Sequence, residues 1–323
     1  MTRQSVLATR APFHLEATAR VLQRRPSNLV DIWELGRYLR VLTLPEGLAL
    51  VEVQNRGTID NPDVQFSIRA GDTSSATYKD ARQMLRKMLG LNMDPAPLHR
   101  LFWAERSLRT VDSALRGLRP PRFADLFEAF ASVVPFQQLS LEAGIAILSR
   151  LVMRLGQTLD HAGRRFHAFP SAQSFANTPL EALRACGLSM KKAQTLRGVA
   201  LAIESGDLSE RELAALSTQE ALERLKQLPG VGPWSAGLVL LRGLGRLDVF
   251  PSGDVGAARG LRALMQLTSV APLEPVIERF GPYRGHLYFY ALGGWLLTKG
   301  LIHPAPKSAH SKWAAREGTR TPN

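Results

Sequence analysis

The chain has 323 residues, with 41 Lys and Arg against 28 Asp and Glu for a formal net charge of +13, and a single cysteine, Cys186. One cysteine excludes a disulfide framework and a four-cysteine iron–sulfur cluster, and no apolar run approaches bilayer-spanning length. The positive balance favours a polyanionic partner, although a generally basic composition rich in Arg and Ala gives the same count. The N-terminus shows no signal-peptide pattern, so a cytoplasmic protein is expected. Length leaves room for two or three domains with a sizeable core.

In chain order, Leu48, Leu50, Val51 and Val53 form one β-like run. Val64, Phe66 and Ile68, alternating with Gln65, Ser67 and Arg69, form a second that reads as a half-exposed antiparallel strand. Asn55-Arg56-Gly57 and Asn61-Pro62 between them are turn signals. A helix is predicted over 81–89, with Met84, Leu85 and Met88 along its core side. Pro120-Pro121 ends this α+β half, and the chain is helical from there on. Helices are expected at 123–134, 141–155, 179–185, 191–204 and, briefly, 207–216. An aromatic-rich helix over 283–301 closes the domain, and the Pro- and charge-rich stretch beyond reads as disordered. The division is therefore 1–120 α+β, 121–303 helical and 304–323 tail. The whole reads as mostly α with an N-terminal α+β domain.

Within the helical half, Ser217-Thr218-Gln219-Glu220 has capping-box spacing, and Leu222, Leu225 and Leu228 follow on one helical face. Pro229 and Gly230 stop that helix. Gly230 and Gly232 accept positive φ without a Cβ clash, and Pro233 suits the first turn of a second helix running to Leu244. The result is helix, hairpin, helix, with backbone N–H groups at the second helix start placed to meet a phosphate. Downstream, Pro251-Ser252-Gly253 forms a loop, and 257–264, bearing Arg259 and Arg262, reads as a helix. Asp254 thus stands at or near a helix N-terminus, as an N-cap or as a catalytic carboxylate. Asp248, ahead of Val249-Phe250, reads as structural.

The run Leu228-Pro229-Gly230-Val231-Gly232-Pro233-Trp234, followed by Asp254, resembles the helix-hairpin-helix superfamily of base-excision DNA glycosylases. The resemblance runs from about Pro12 to His303 and is strongest from Phe123 onward. It includes Leu85 to Leu91 leading to Asp94-Pro95, and it is narrowest to 3-methyladenine DNA glycosylase II, the alkylation-repair branch. It implies a helix-hairpin-helix glycosylase fold with a TATA-binding-protein-like N-terminal domain. It also implies a monomer that binds duplex DNA, flips a damaged base and hydrolyses its glycosidic bond. Asp254 matches the catalytic aspartate, which stabilises an oxocarbenium-like C1′ or orients water. Gly230, Val231 and Gly232 match the DNA-gripping hairpin. The backbone carbonyls of Leu228 and Val231 match those that hold a monovalent cation, Na+ or K+. No other cofactor is implied.

Trp234 matches an aromatic at the edge of the base pocket, and it stands where strand-cleaving members carry a Schiff-base lysine, so a monofunctional enzyme is implied. Leu238, Val255 and Leu292 fall at the remaining pocket positions, which are aromatic in the family. Electron-rich rings attract cationic alkylated bases, so fewer rings imply a weaker or different preference. Tyr283, Tyr288, Phe289 and Tyr290 are candidates to compensate, and helical spacing does not show which of them face the pocket. Pro135-Phe136-Gln137 falls where the family inserts a wedge into duplex DNA, with Phe136 either the wedge or a loop residue packed on the core. Oxidised, deaminated or mismatched bases, or a noncatalytic DNA clamp, are the alternative readings.

Overall fold

The computed structural model describes residues 3–306. Strands β1 (Gln4–Val6), β2 (Ile32–Glu34), β3 (Arg37–Leu44), β4 (Gly47–Asn55) and β5 (Val64–Gly71) form an antiparallel sheet in the order β1-β5-β4-β3-β2. One face packs Tyr38, Leu42, Val51, Val53 and Phe66 against Leu15 and Leu22 of the Leu15–Gln23 helix and Tyr78, Leu85 and Met88 of the Ser75–Met88 helix. The Met84–Met88 stripe thus belongs to the core, with Met84 partly buried at its margin.

The other face is covered as well. A hairpin of β6 (Thr158–His161) and β7 (Arg164–His167), emitted by the helical half, lays Phe166 and Ala168 on Ile32, Leu39, Val41 and Leu50. Burial on both faces explains why β3 escapes an alternation search: six of its eight residues are buried, five of them consecutive.

The helical half has two cores. The larger is built from the Leu126–Ala131, Leu141–Leu155, Met190–Glu204, Thr218–Lys226 and Pro233–Val239 helices. The second joins Leu261 of the Val255–Leu264 helix and Leu287, Phe289 and Tyr290 of the Gly285–Thr298 helix to Ala17, Val21, Leu98, Phe102 and Val111. Sequence position and packing therefore divide the chain differently. The Ala96–Ala104 and Arg109–Ala114 helices precede residue 120 yet share their core with the C-terminal helix. The predicted tail lies outside the described residues from 307 on. Its first residues are held rather than free, since Ala305 N donates to Ala114 O at 2.7 Å and Arg116 Nη2 donates to Pro306 O at 2.9 Å.

A buried charge network joins the halves. Arg40 of β3, 2% exposed, bonds Asp31 Oδ1 at 2.7 Å and Glu128 of the Leu126–Ala131 helix, while Tyr38 Oη donates to Asp31 at 2.6 Å. Burial pushes the Glu128 carboxyl up, and Arg40 pulls it back down. Replacing one partner strands the other charges in a dry setting. Arg40→Ala is expected to lose about 3–5 kcal/mol of stability in denaturant titration, whereas a loss below about 1 kcal/mol would mean the network is solvated.

Candidate active site

The hairpin forms as its local chemistry dictates. Ser217 and Glu220 make a reciprocal capping box on the Thr218–Lys226 helix. Gly230 takes φ +83°, and a Cβ there would lie 2.0 Å from Thr195 Oγ1, so both conformation and space demand glycine. Val231 N donates to Leu228 O at 3.1 Å and closes the turn. Gly232, unlike Gly230, is extended at φ −92°, and it begins the Pro233–Val239 helix with no side-chain cap on its first N–H groups. Nothing lies within 4 Å of a Cβ built on Gly232, so internal packing does not require glycine there.

Asp254 is the N-cap of the Val255–Leu264 helix, accepting from Ala257 N at 2.7 Å. Its second oxygen accepts from Trp234 Nε1 at 3.0 Å. The hairpin and the downstream helix therefore meet at this carboxylate. It borders an open groove of about 940 Å³ walled by Leu222, Phe250, Val255, Arg259 and Ile277. Asp248 also lines this groove, and its Oδ2 accepts from Thr218 Oγ1 at 2.6 Å. His286 is fully buried between Tyr283 O and Met93 Sδ, and burial lowers it to about 3, so it stays neutral and outside the chemistry. Cys186 is buried, with burial raising its thiol.

The expected pocket residues are not gathered in one wall. Trp234 touches Asp254, and Val255 is 69% exposed beside it. Leu238, one turn after Trp234, is 4% exposed in the larger helical core, because its helix face points inward. Leu292 packs half-buried against the other helical core. Of the aromatic substitutes, Phe289 and Tyr290 are core residues, while Tyr288 is partly buried between the two helical cores.

The wedge assignment also changes. Phe136 is sandwiched between Gly144, where an added Cβ would fall 2.2 Å from its ring, and Arg24, whose guanidinium sits 4.3 Å from the ring centroid. These contacts hold Phe136, partly buried, as a loop residue packed on the core. Gln137 turns inward and donates to Gly230 O at 3.0 Å and Ser235 Oγ at 2.9 Å, so it grips the hairpin rather than DNA. Lys192 Nζ holds the same loop through Pro135 O at 3.0 Å and Gln137 O at 2.7 Å. What projects is Gln138, with φ +57°, and Leu139, 44% exposed. The exposure of Leu139 is not readable from the sequence, because it directly precedes the N-cap Ser140, a position that ordinarily packs back on its helix. Lys192 and Thr195 carry no local signal at all.

No group of three or more metal-ligating His, Cys, Asp or Glu side chains occurs among the described residues, and no described helix is long and apolar enough to cross a membrane.

The fold and this geometry define a class: residues 131–280 match the HhH-GPD superfamily of base excision DNA repair proteins and form a helical domain of that kind. Residues 4–125 match the AlkA N-terminal domain, consistent with the 3-methyladenine glycosylase II branch. It is 24% identical over 274 residues to DNA-3-methyladenine glycosylase of Bacillus subtilis, covering 84% of this chain and 89% of that one. Among solved structures it resembles the 3-methyladenine DNA glycosylase of Archaeoglobus fulgidus, with 26% identity, a TM-score of 0.75 and coverage of 93% of this chain and all of the other. It also resembles the Schizosaccharomyces pombe enzyme solved with abasic DNA, at 27% identity and TM-score 0.52, over 64% of this chain and 97% of that one.

The two hairpin glycines are expected to separate on substitution. Gly230→Ala should lose about 2 kcal/mol or more of stability through strain and the clash with Thr195. Gly232→Ala should melt within about 0.5 kcal/mol of wild type yet bind duplex DNA more weakly, as its methyl group stands where a phosphate would approach. Thermal melts with fluorescence-anisotropy titrations check both.

Proposed function

We propose that this protein is a monofunctional, monomeric, cytoplasmic DNA glycosylase that excises alkylated bases of the 3-methyladenine and 7-methylguanine type from duplex DNA. The observation that carries the reading is Asp254, held by donors from both the hairpin and its own helix at the mouth of a groove. The uncapped start of the Pro233–Val239 helix grips one strand. The Gln138–Leu139 tip fills the gap left by the extruded nucleotide. Asp254 then faces the anomeric carbon.

The C1′–N bond breaks with its electron pair leaving on the base, and the carboxylate stabilises the cationic sugar. A water oxygen then bonds to C1′ and releases its proton to solvent, giving free base and an abasic site. Asp254's partners are an amide N–H and an indole N–H, neither an acid, so the pair offers the departing base no proton. An alkylated purine, already positively charged, needs none. Trp234 has no amine for a Schiff base, and Lys192, on the helix behind the hairpin, spends its ammonium group on two carbonyls.

The turn also fits a monovalent cation by donor type. Leu228 O has a second lone pair beyond its bond from Val231 N, and with Val231 O it would offer neutral oxygens to such an ion. Bound there, the cation would supply positive charge beside the gripped phosphate.

Asp254→Asn is expected to abolish release of 3-methyladenine and 7-methylguanine, by about a hundredfold or more, while abasic-site DNA still binds. Retained turnover would remove Asp254 from the chemistry. Borohydride should trap no protein–DNA adduct, and efficient trapping would mean an amine nucleophile and strand cleavage.

A further inference from the structure

A carboxylate that must face a transient cation needs more than charge, because rotation about Cβ–Cγ would swing one oxygen away. The helix cap fixes only one oxygen of Asp254, through Ala257 N at 2.7 Å. Gly256 leaves room for that contact, since a Cβ there would lie 3.3 Å from Oδ1. The other oxygen is held by a single group, Trp234 Nε1 at 3.0 Å. Trp234 is half-buried at the start of the Pro233–Val239 helix, packed against the larger helical core and anchored by the turn that grips DNA. We infer that Trp234 is a positioning residue, whose indole N–H sets the plane of the Asp254 carboxylate and couples that plane to the hairpin.

The inference rests on the glycosylase reading and adds to it. An indole supplies a charge-assisted hydrogen bond without a competing positive charge or a nucleophile. Both oxygens of the carboxylate are fixed by donors on separate elements. Trp234 thereby acts through Asp254, independently of any contact its ring makes with a base.

The test uses ring chemistry. Histidine can place Nε2 where the indole Nε1 stands, because both lie at the same position of a five-membered ring. Phenylalanine is larger than histidine but has no donor. If the N–H matters, the single-turnover rate of 7-methylguanine release runs wild type, then Trp234→His, then Trp234→Phe. The phenylalanine variant should fall roughly tenfold or more while abasic-site DNA affinity stays within about twofold. Packing alone would place phenylalanine above histidine, and that order, or a wild-type rate for Trp234→Phe, overturns the inference. Should Trp234→Phe fold poorly, benzothienylalanine at 234 keeps the bicyclic shape with sulfur in place of N–H, and a wild-type rate there overturns it equally. Asp254→Asn assayed alongside separates the two levels. An active Asp254→Asn sinks the glycosylase reading of the site, whereas an inactive one beside a fully active Trp234→Phe sinks only the role of Trp234.

Discussion

A negative charge held still at a protein surface is the constraint around which this molecule is built. Asp254 is fixed by donors from separate elements, and those elements belong to different cores: Trp234 packs against the larger helical cluster, while the Val255–Leu264 helix sends Leu261 into the other. Neither core alone can define the carboxylate's position. The second core also draws on Ala17, Val21, Leu98 and Phe102 from the N-terminal half, so the geometry of one side chain depends on most of the chain.

The loop that carries Gln138 and Leu139 is over-determined in the same manner. Phe136 is clamped between Arg24 and Gly144, Lys192 takes two carbonyls of the loop, and Gln137 ties it to Gly230 O and Ser235. Unstacking a base step costs a few kcal/mol, and a wedge that bends under load would not sustain it. The bonds from Gln137 tie the exposed loop tip to the hairpin, so the two move as one body. Phe136 and Gln137 both hold exposed neighbours in place from within.

How much of this was legible depended on how local the cause was. The capping box at Ser217, the glycine turn and the Leu141–Leu155 helix follow from spacing over a few residues, and the structure has them where the sequence put them. Strand β3 was not legible, because covering both faces of the sheet erases alternation and places Arg40 in the interior. The β6–β7 hairpin stabilises a sheet that ends at Gly71, far earlier in the chain, and nothing in its own short strands announces that partner. The inward turn of Gln137 and the burial of Leu238 are likewise products of long-range packing. A motif fixes which residues are involved, and only the fold fixes which way they face.

Charge counting is corrected by the same logic. Arg40, Arg119 and Arg242 are fully buried, and Arg24 nearly so, with burial lowering Arg24 to about 9 and Arg119 to about 10. Part of the formal +13 is therefore internal scaffolding, and the field that meets DNA comes from fewer residues than composition implies. Local chemistry must then supply discrimination. With an amide and an indole as its partners, Asp254 can lower the barrier by stabilising a sugar cation, but this pair cannot help the base depart by protonating it. Such a site favours bases whose modification has already made them good leaving groups. Selectivity can then reside in the chemistry of the lesion, and the pocket has less need of the aromatic wall that Leu238, Val255 and Leu292 do not provide.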